Sequence, residues 1–154
     1  MSYGKIAAFL ALIALPVAAD PLPPNAKPLS SKQIEKLYSG NSAVWDRSMV
    51  YFAPDKTTKG VFGKPPSATY TGKWKITKNK LCMTNSPVNI KTGEASKKTY
   101  TDCWTFFTDG DRVLTSYYND FEEGRGPNDD YSEGELSNLR KGDVVSKTFA
   151  KYRS

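Results

Sequence analysis

Two periodicities divide the chain. Between Leu29 and Gly40 the apolar residues Ile34, Leu37 and Tyr38 fall on one face of a helix of two to three turns. Ser30 stands where an N-cap belongs, Gln33 completes a capping box, Leu29 is placed to staple onto Ile34, and Gly40 supplies the stop. From Ser42 onward the rhythm shortens to alternating segments rich in aromatic and β-branched residues, broken by clusters of Gly, Pro, Asp and Asn. Strands are predicted over 43–46, 49–53, 58–62, 68–77, 80–85, 97–107, 112–118, 130–139 and 143–151. Turn chemistry separates them at Pro54-Asp55-Lys56, Lys78-Asn79, Asp109-Gly110-Asp111 and Lys141-Gly142. Trp74 and Ile76 point one way while Lys73, Lys75 and Thr77 point the other, so the hairpin over 68–85 has an apolar inner face and a basic outer one.

Eight or nine short antiparallel strands must dispose of their edges, and a small closed or nearly closed barrel does so. The expected fold class is therefore all-β: a small antiparallel barrel of lipocalin or calycin type, with the one short N-terminal helix packed over an opening or side. A β-sandwich is the alternative. Ahead of the helix, residues 20–28 hold four prolines and read as an extended linker, leaving 29–154 as a single β-rich domain. Residues 1–19 read as a secretory signal peptide, with Lys5, an apolar run over 6–15, and Ala18 and Ala19 before Asp20. That run is about ten residues, half of the roughly 20 that cross a bilayer as a helix. Cleavage after Ala19 is expected, with a periplasmic or secreted product, and no cysteine lies at the junction to accept a lipid.

Composition changes this picture mainly by exclusion. The 154 residues are 38% hydrophobic and 25% charged, enough for one ordinary globular domain. There is no histidine, which removes Ser-His-Asp and Cys-His nucleophile pairs and imidazole metal sites. No nucleotide-binding glycine loop, CxxC pair or HExxH motif is present. Export makes the two cysteines, Cys82 and Cys103, an expected disulfide, since an even count in an oxidising compartment favours pairing.

Three Trp, nine Tyr and seven Phe provide both core and pocket. The residues expected near a barrel cavity are Trp45, Tyr51, Trp74, Trp104, Phe106 and Tyr117. Gly72-Lys73-Trp74 is similar to the short G-x-W signature of lipocalin-type barrels, in which the Trp closes one end beneath a helix. Here about three strands precede it, so the likeness implies barrel-like packing rather than ancestry. Seven carboxylates crowd residues 119–135, but their spacing departs from the EF-hand pattern, and the segment reads as a solvated acidic connection. Lysine and arginine gather elsewhere: Lys73, Lys75, Lys78 and Lys80; Lys91, Lys97 and Lys98; and Arg140, Lys141, Lys147, Lys151 and Arg153. No stacking motif is interleaved with this charge, so nucleic acid is not an expected partner. Small molecules, lipids and anionic envelope components fit the compartment better, as does an envelope protein.

Several segments together, among them Val50-Tyr51-Phe52-Ala53-Pro54-Asp55, Gly72-Lys73-Trp74, Lys80-Leu81-Cys82-Met83-Thr84, Thr101-Asp102-Cys103-Trp104 and Gly134-Glu135-Leu136, resemble a family of small secreted alphaproteobacterial proteins classed as a domain of unknown function. The resemblance implies export, paired cysteines and a β-rich fold, and it brings no catalytic residues. The expected function is that of a non-enzymatic periplasmic or secreted binding or envelope-associated protein, without cofactor or metal, for a small, apolar or anionic ligand. The alternatives are a protein-interaction module, such as an inhibitor or accessory subunit of an envelope enzyme, and a hydrolase using two carboxylates from residues 120–135.

Overall fold

The computed structural model describes residues 20–119 and 130–153. The signal peptide expected over 1–19 and most of the acidic segment, 120–129, lie outside the described residues. The elements run β1 (Lys27–Pro28), α1 (Ser31–Tyr38), β2 (Asn41–Val44), β3 (Ser48–Phe52), β4 (Thr57–Phe62), β5 (Ala68–Thr77), β6 (Lys80–Asn89), β7 (Tyr100–Asp109), β8 (Arg112–Asn119), a 3-10 turn (Glu135–Asn138), β9 (Leu139–Arg140) and α2 (Ser146–Tyr152). From β2 to β8 each strand pairs antiparallel with the next in sequence. One continuous sheet results, curled into a half-barrel, so the all-β barrel-like expectation holds and the two-sheet sandwich does not.

Both edges of the sheet are managed by the chain ends. β9 adds beside β2, and β1 pairs with the end of β7 that β6 does not reach. Ser132 exchanges backbone hydrogen bonds of 2.9 and 3.0 Å with Thr115 of β8, and seven residues later Leu139 pairs with Ala43 of β2. The stretch from Ser132 to Leu139 is thus a strap from one edge of the half-barrel to the other, which covers backbone groups that would otherwise template aggregation.

The expected helix forms as its sequence dictates. Ser30 and Gln33 make the reciprocal capping box, and Ile34 and Tyr38 are buried. They enter the same core as the inward residues Phe52, Trp74, Leu81 and Phe106. Tyr38 meets Phe52 and Phe106 edge-on at 5.1 and 5.6 Å, and Phe52 meets Trp74 at 5.8 Å. This end of the half-barrel is closed by α1 and filled by its own side chains.

Three expectations are corrected. Residues 130–139 are not one strand: Leu136, inside the 3-10 turn, and Leu139, just after it, pack on the core at the three-residue period of that turn. Residues 143–151 are not a strand either. Asp143 accepts the backbone N–H groups of Val145 and Ser146 at 3.0 and 2.9 Å, turning the chain into α2, with the N-cap residue Val145 and Phe149 at helical i, i+4 spacing. Finally, the linker over 20–28 ends inside the sheet, because Lys27 and Pro28 are β1.

Cys82 and Cys103 form the expected disulfide. They are directly opposed on β6 and β7 with Cα atoms 4.1 Å apart, on the face opposite the inward Leu81 and Trp104.

Candidate ligand cavity at the open end of the half-barrel

Above the closed core, the inward side chains leave a cavity of about 770 Å³. Two glycines in strand interiors help to create it. Gly60 of β4 pairs with Tyr70 of β5, and a Cβ at Gly60 would stand 2.2 Å from the Tyr70 ring. The ring therefore lies along the wall, its hydroxyl donating to the Met49 carbonyl at 3.0 Å and meeting Ser48 Oγ at 3.1 Å. Gly72 of β5 pairs with Asn85 of β6, and a Cβ there would stand 2.0 Å from the Thr84 carbonyl oxygen and 2.6 Å from Asn85 Oδ1. Asn85 likewise lies on the wall, accepting Thr58 Oγ1–H at 2.7 Å. Neither long side chain crosses the bore.

The facing wall is aromatic. Trp45, just beyond β2, stacks on Trp104 of β7 with ring centroids 5.5 Å apart and planes 3° from parallel. Trp104 in turn meets Tyr117 of β8 at 5.3 Å, as their direct cross-strand pairing requires. Tyr117 donates its hydroxyl proton to Asp102, which shares the inward phase of Trp104 on β7. Such stacked and tilted pairs contribute about 0.5–1.5 kcal/mol each beyond the area they bury.

Glu135 joins strap to barrel. Its Oε2 accepts the Trp45 indole N–H at 3.0 Å, and its Oε1 accepts the Tyr38 hydroxyl at 3.4 Å. Burial pushes the Glu135 carboxyl above its ordinary range, partly offset by hydrogen bonds from Trp45, Tyr38 and Asn138. The Tyr38 hydroxyl is held well above the usual tyrosine range, first by burial and then by the adjacent Glu135 charge. Burial also raises Tyr70. Both Glu135 oxygens are used to fix the strap and orient Trp45, so this carboxylate is built into the frame.

The six residues expected near a cavity are divided by the structure. Trp45, Trp104 and Tyr117 line it together. Trp74 and Phe106 share the inward phase but lie nearer the helix, in the closed core. Tyr51 alternates out of phase with the buried Val50 and Phe52, and so sits on the outer face, with Lys59 Nζ 5.2 Å from its ring centroid. Tyr70, Asn85 and Asp102 are among the lining residues that the sequence reading did not single out, and Glu135 stood there only as one carboxylate of the acidic segment. A usable signal did exist for the first two, namely glycines at inward phase inside strands.

Trp74 performs the closing role that the G-x-W likeness implied, although Gly72 and Trp74 lie within β5 rather than opening it. Its indole N–H donates to the Ala53 carbonyl at 2.9 Å, and Lys56 Nζ, paired with Glu35, lies 3.8 Å from its ring centroid. Lys73, Lys75 and Lys80 project from the outer face. Among the described residues no group of three His, Cys, Asp or Glu is placed to hold a metal ion, and no helix is long and apolar enough to cross a membrane.

Fold and cavity together define an all-β half-barrel, closed by a helix at one end and lined with aromatic and acidic side chains at the other. The chain belongs to the family described as a protein of unknown function, DUF995, whose model matches residues 6–124. That match takes in α1 and β1–β8 and stops before the strap and α2. No curated protein and no solved structure matches the chain.

Proposed function

We propose that the chain is exported, loses residues 1–19, and acts in the periplasm or outside the cell as a non-enzymatic binding protein whose cavity holds a small molecule. The observation that carries this reading is the cavity itself, about 770 Å³, with Tyr70 and Asn85 laid flat over two strand glycines. Volumes of roughly 300–1,000 Å³ with apolar walls and a few convergent polar groups are what small-molecule sites use. The disulfide supports an oxidising compartment. The engagement of Glu135 by Tyr38 and Trp45 supports a binding role over acid catalysis, because a general acid must present its proton to the substrate. The basic outer face, with Lys73, Lys75 and Lys80, suits residence beside anionic envelope material.

The interaction-module alternative draws on the same place. Of the large apolar side chains exposed among the described residues, Phe62 (46%) and Tyr117 (41%) both line the cavity.

Native mass spectrometry of the oxidised protein isolated from its own host tests the reading. The expected species is residues 20–154 less two hydrogens, with a retained small molecule that Trp45→Ala releases. A bare chain in both proteins, with a polypeptide partner co-purifying instead, would favour the interaction module.

A further inference from the structure

Deep in the cavity wall, Tyr70 and Glu135 engage their polar atoms within the protein. The Tyr70 hydroxyl meets the Met49 carbonyl and Ser48 Oγ, and the two Glu135 oxygens hold Tyr38 and Trp45. Asn85 differs. It is only 5% exposed, and one end of its side-chain amide is taken: Oδ1 accepts the Thr58 hydroxyl at 2.7 Å. The other end, Nδ2, bonds to no described protein group. No buried side-chain nitrogen or oxygen among the described residues lacks a partner, so Nδ2 is open to the cavity that Asn85 lines.

The neighbours fix which end faces inward. Thr58 is 3% exposed, and Asn85 Oδ1 is the acceptor for its hydroxyl proton. Turned end for end, the amide would offer Thr58 a donor and withdraw that acceptor, at a cost in so buried a place. Oδ1 also sits over Gly72, where a Cβ would stand 2.6 Å from it. Thr58 and Gly72 are directly paired on β4 and β5, and neither lines the cavity, whereas Asn85 does, with Met83 and Pro87 of the same inward phase on β6. The oxygen is thus anchored behind the wall, and the nitrogen is presented in front of it.

A donor held in this way selects for an acceptor. A hydrocarbon ligand that expels solvent from the β6 wall leaves Nδ2 unmet, at a cost. A hydroxyl brings a proton that needs a further acceptor, and a carboxylate needs more donors than one amide supplies. A carbonyl oxygen is an acceptor alone. Resting on the reading that the cavity is a binding site, we propose that Asn85 is its specificity-determining residue, and that the ligand carries a carbonyl oxygen, as in a ketone, ester or amide, received by Nδ2, on an aromatic or apolar body that faces the Trp45–Trp104 wall.

Two probes of one skeleton isolate the acceptor: acetophenone, with C=O, and α-methylstyrene, with C=CH2 in its place. Each is titrated against the oxidised mature chain by calorimetry and followed at the Asn85 side-chain NH2 signals in ¹H–¹⁵N spectra. Acetophenone should move those signals downfield and α-methylstyrene should not, a response that a merely structural Asn85 would not give. The ketone-to-alkene affinity ratio should fall about fivefold in Thr58→Val/Asn85→Leu, which replaces both hydrogen-bond partners by apolar groups, and stay unchanged in Thr58→Ser, which keeps the hydroxyl. Where the double variant does not fold, the spectra of the native chain decide. A ratio unchanged in the double variant, or Asn85 signals that respond alike to both probes or to neither, overturns the role of Asn85 and leaves the cavity reading intact. Binding of neither probe at the limit of solubility also overturns it, and if the native mass spectrum then shows a bare chain, the cavity reading falls with it.

Discussion

Replacing Gly72 by Ala tests whether the cavity wall is built as described. Gly72 has no unusual backbone conformation to explain it; its requirement is proximity. An added Cβ would lie 2.0 Å from the Thr84 carbonyl oxygen, 2.6 Å from Asn85 Oδ1 and 2.8 Å from Asn85 Cα. Two of those three neighbours are backbone in the paired strand, so a rotamer change cannot relieve them, and β5 and β6 must separate locally. Overpacking a core costs about 1–3 kcal/mol, and a ladder hydrogen bond strained in the process adds about 1 kcal/mol. A loss of about 3 kcal/mol is expected, read by denaturant unfolding of the oxidised protein, with Tm lowered by roughly 10 °C. Gly93→Ala is the control: it has φ +71° and nothing within 4 Å, so only the left-handed backbone is penalised, by about 1 kcal/mol. The double variant Gly72→Ala/Asn85→Ala removes the contact with Oδ1 but not that with the Thr84 carbonyl, and should retain most of the loss. If Gly72→Ala were no more destabilising than Gly93→Ala, the close approach of the two strands would be refuted.

Other expectations follow from the same structure. Replacing Cys82 and Cys103 by Ser releases a cross-link between residues 21 apart and should lower stability by about 3 kcal/mol, with an unchanged denaturation midpoint contradicting it. Folding raises the affinity of the Glu135 carboxyl for its proton, so its contribution is fully present below the ordinary value of 4.5 and is lost as pH rises through its higher folded value. The stability of the native protein relative to Glu135→Gln should therefore increase as pH is lowered from neutrality toward 4.5; a difference constant with pH would place Glu135 in solvent. Asp143→Ala removes the acceptors for the Val145 and Ser146 N–H groups and the 3.1 Å pair with Lys59, at about 1 kcal/mol. Hydrogen exchange should show the Phe149 amide, bonded to the Val145 carbonyl, losing protection while Trp74 in β5 keeps it.

Local chemistry made the helix readable: the Ser30–Gln33 box and the Gly40 stop act within a few residues of one another. Alternation did the same for β2–β8, because one buried face imposes period two. The tail misled because 143–151 has β-branched residues at its start, while the determinants of α2 are the Asp143 acceptors and the spacing of Val145 and Phe149. What alternation does not encode is depth along the bore. Trp104 and Phe106 share one inward face of β7, yet one lines the cavity and the other fills the core, and the difference is set by how far α1 reaches. Tyr70 and Asn85 were missed because their posture depends on a glycine in the neighbouring strand. Glu135 was legible only as part of an acidic run; its role comes from the strap that carries it to Trp45 and Tyr38.

The division into a closed core and an open binding cavity is tested most directly by the three tryptophan indole N–H signals in a ¹H–¹⁵N NMR spectrum of the oxidised protein, assigned by single Trp→Phe substitutions. On addition of the small-molecule extract of the host envelope, the Trp45 and Trp104 signals should move while that of Trp74, bonded to the Ala53 carbonyl, stays in place. Movement of Trp74 alone, or no movement of any of the three, would contradict a ligand site at the open end of the half-barrel.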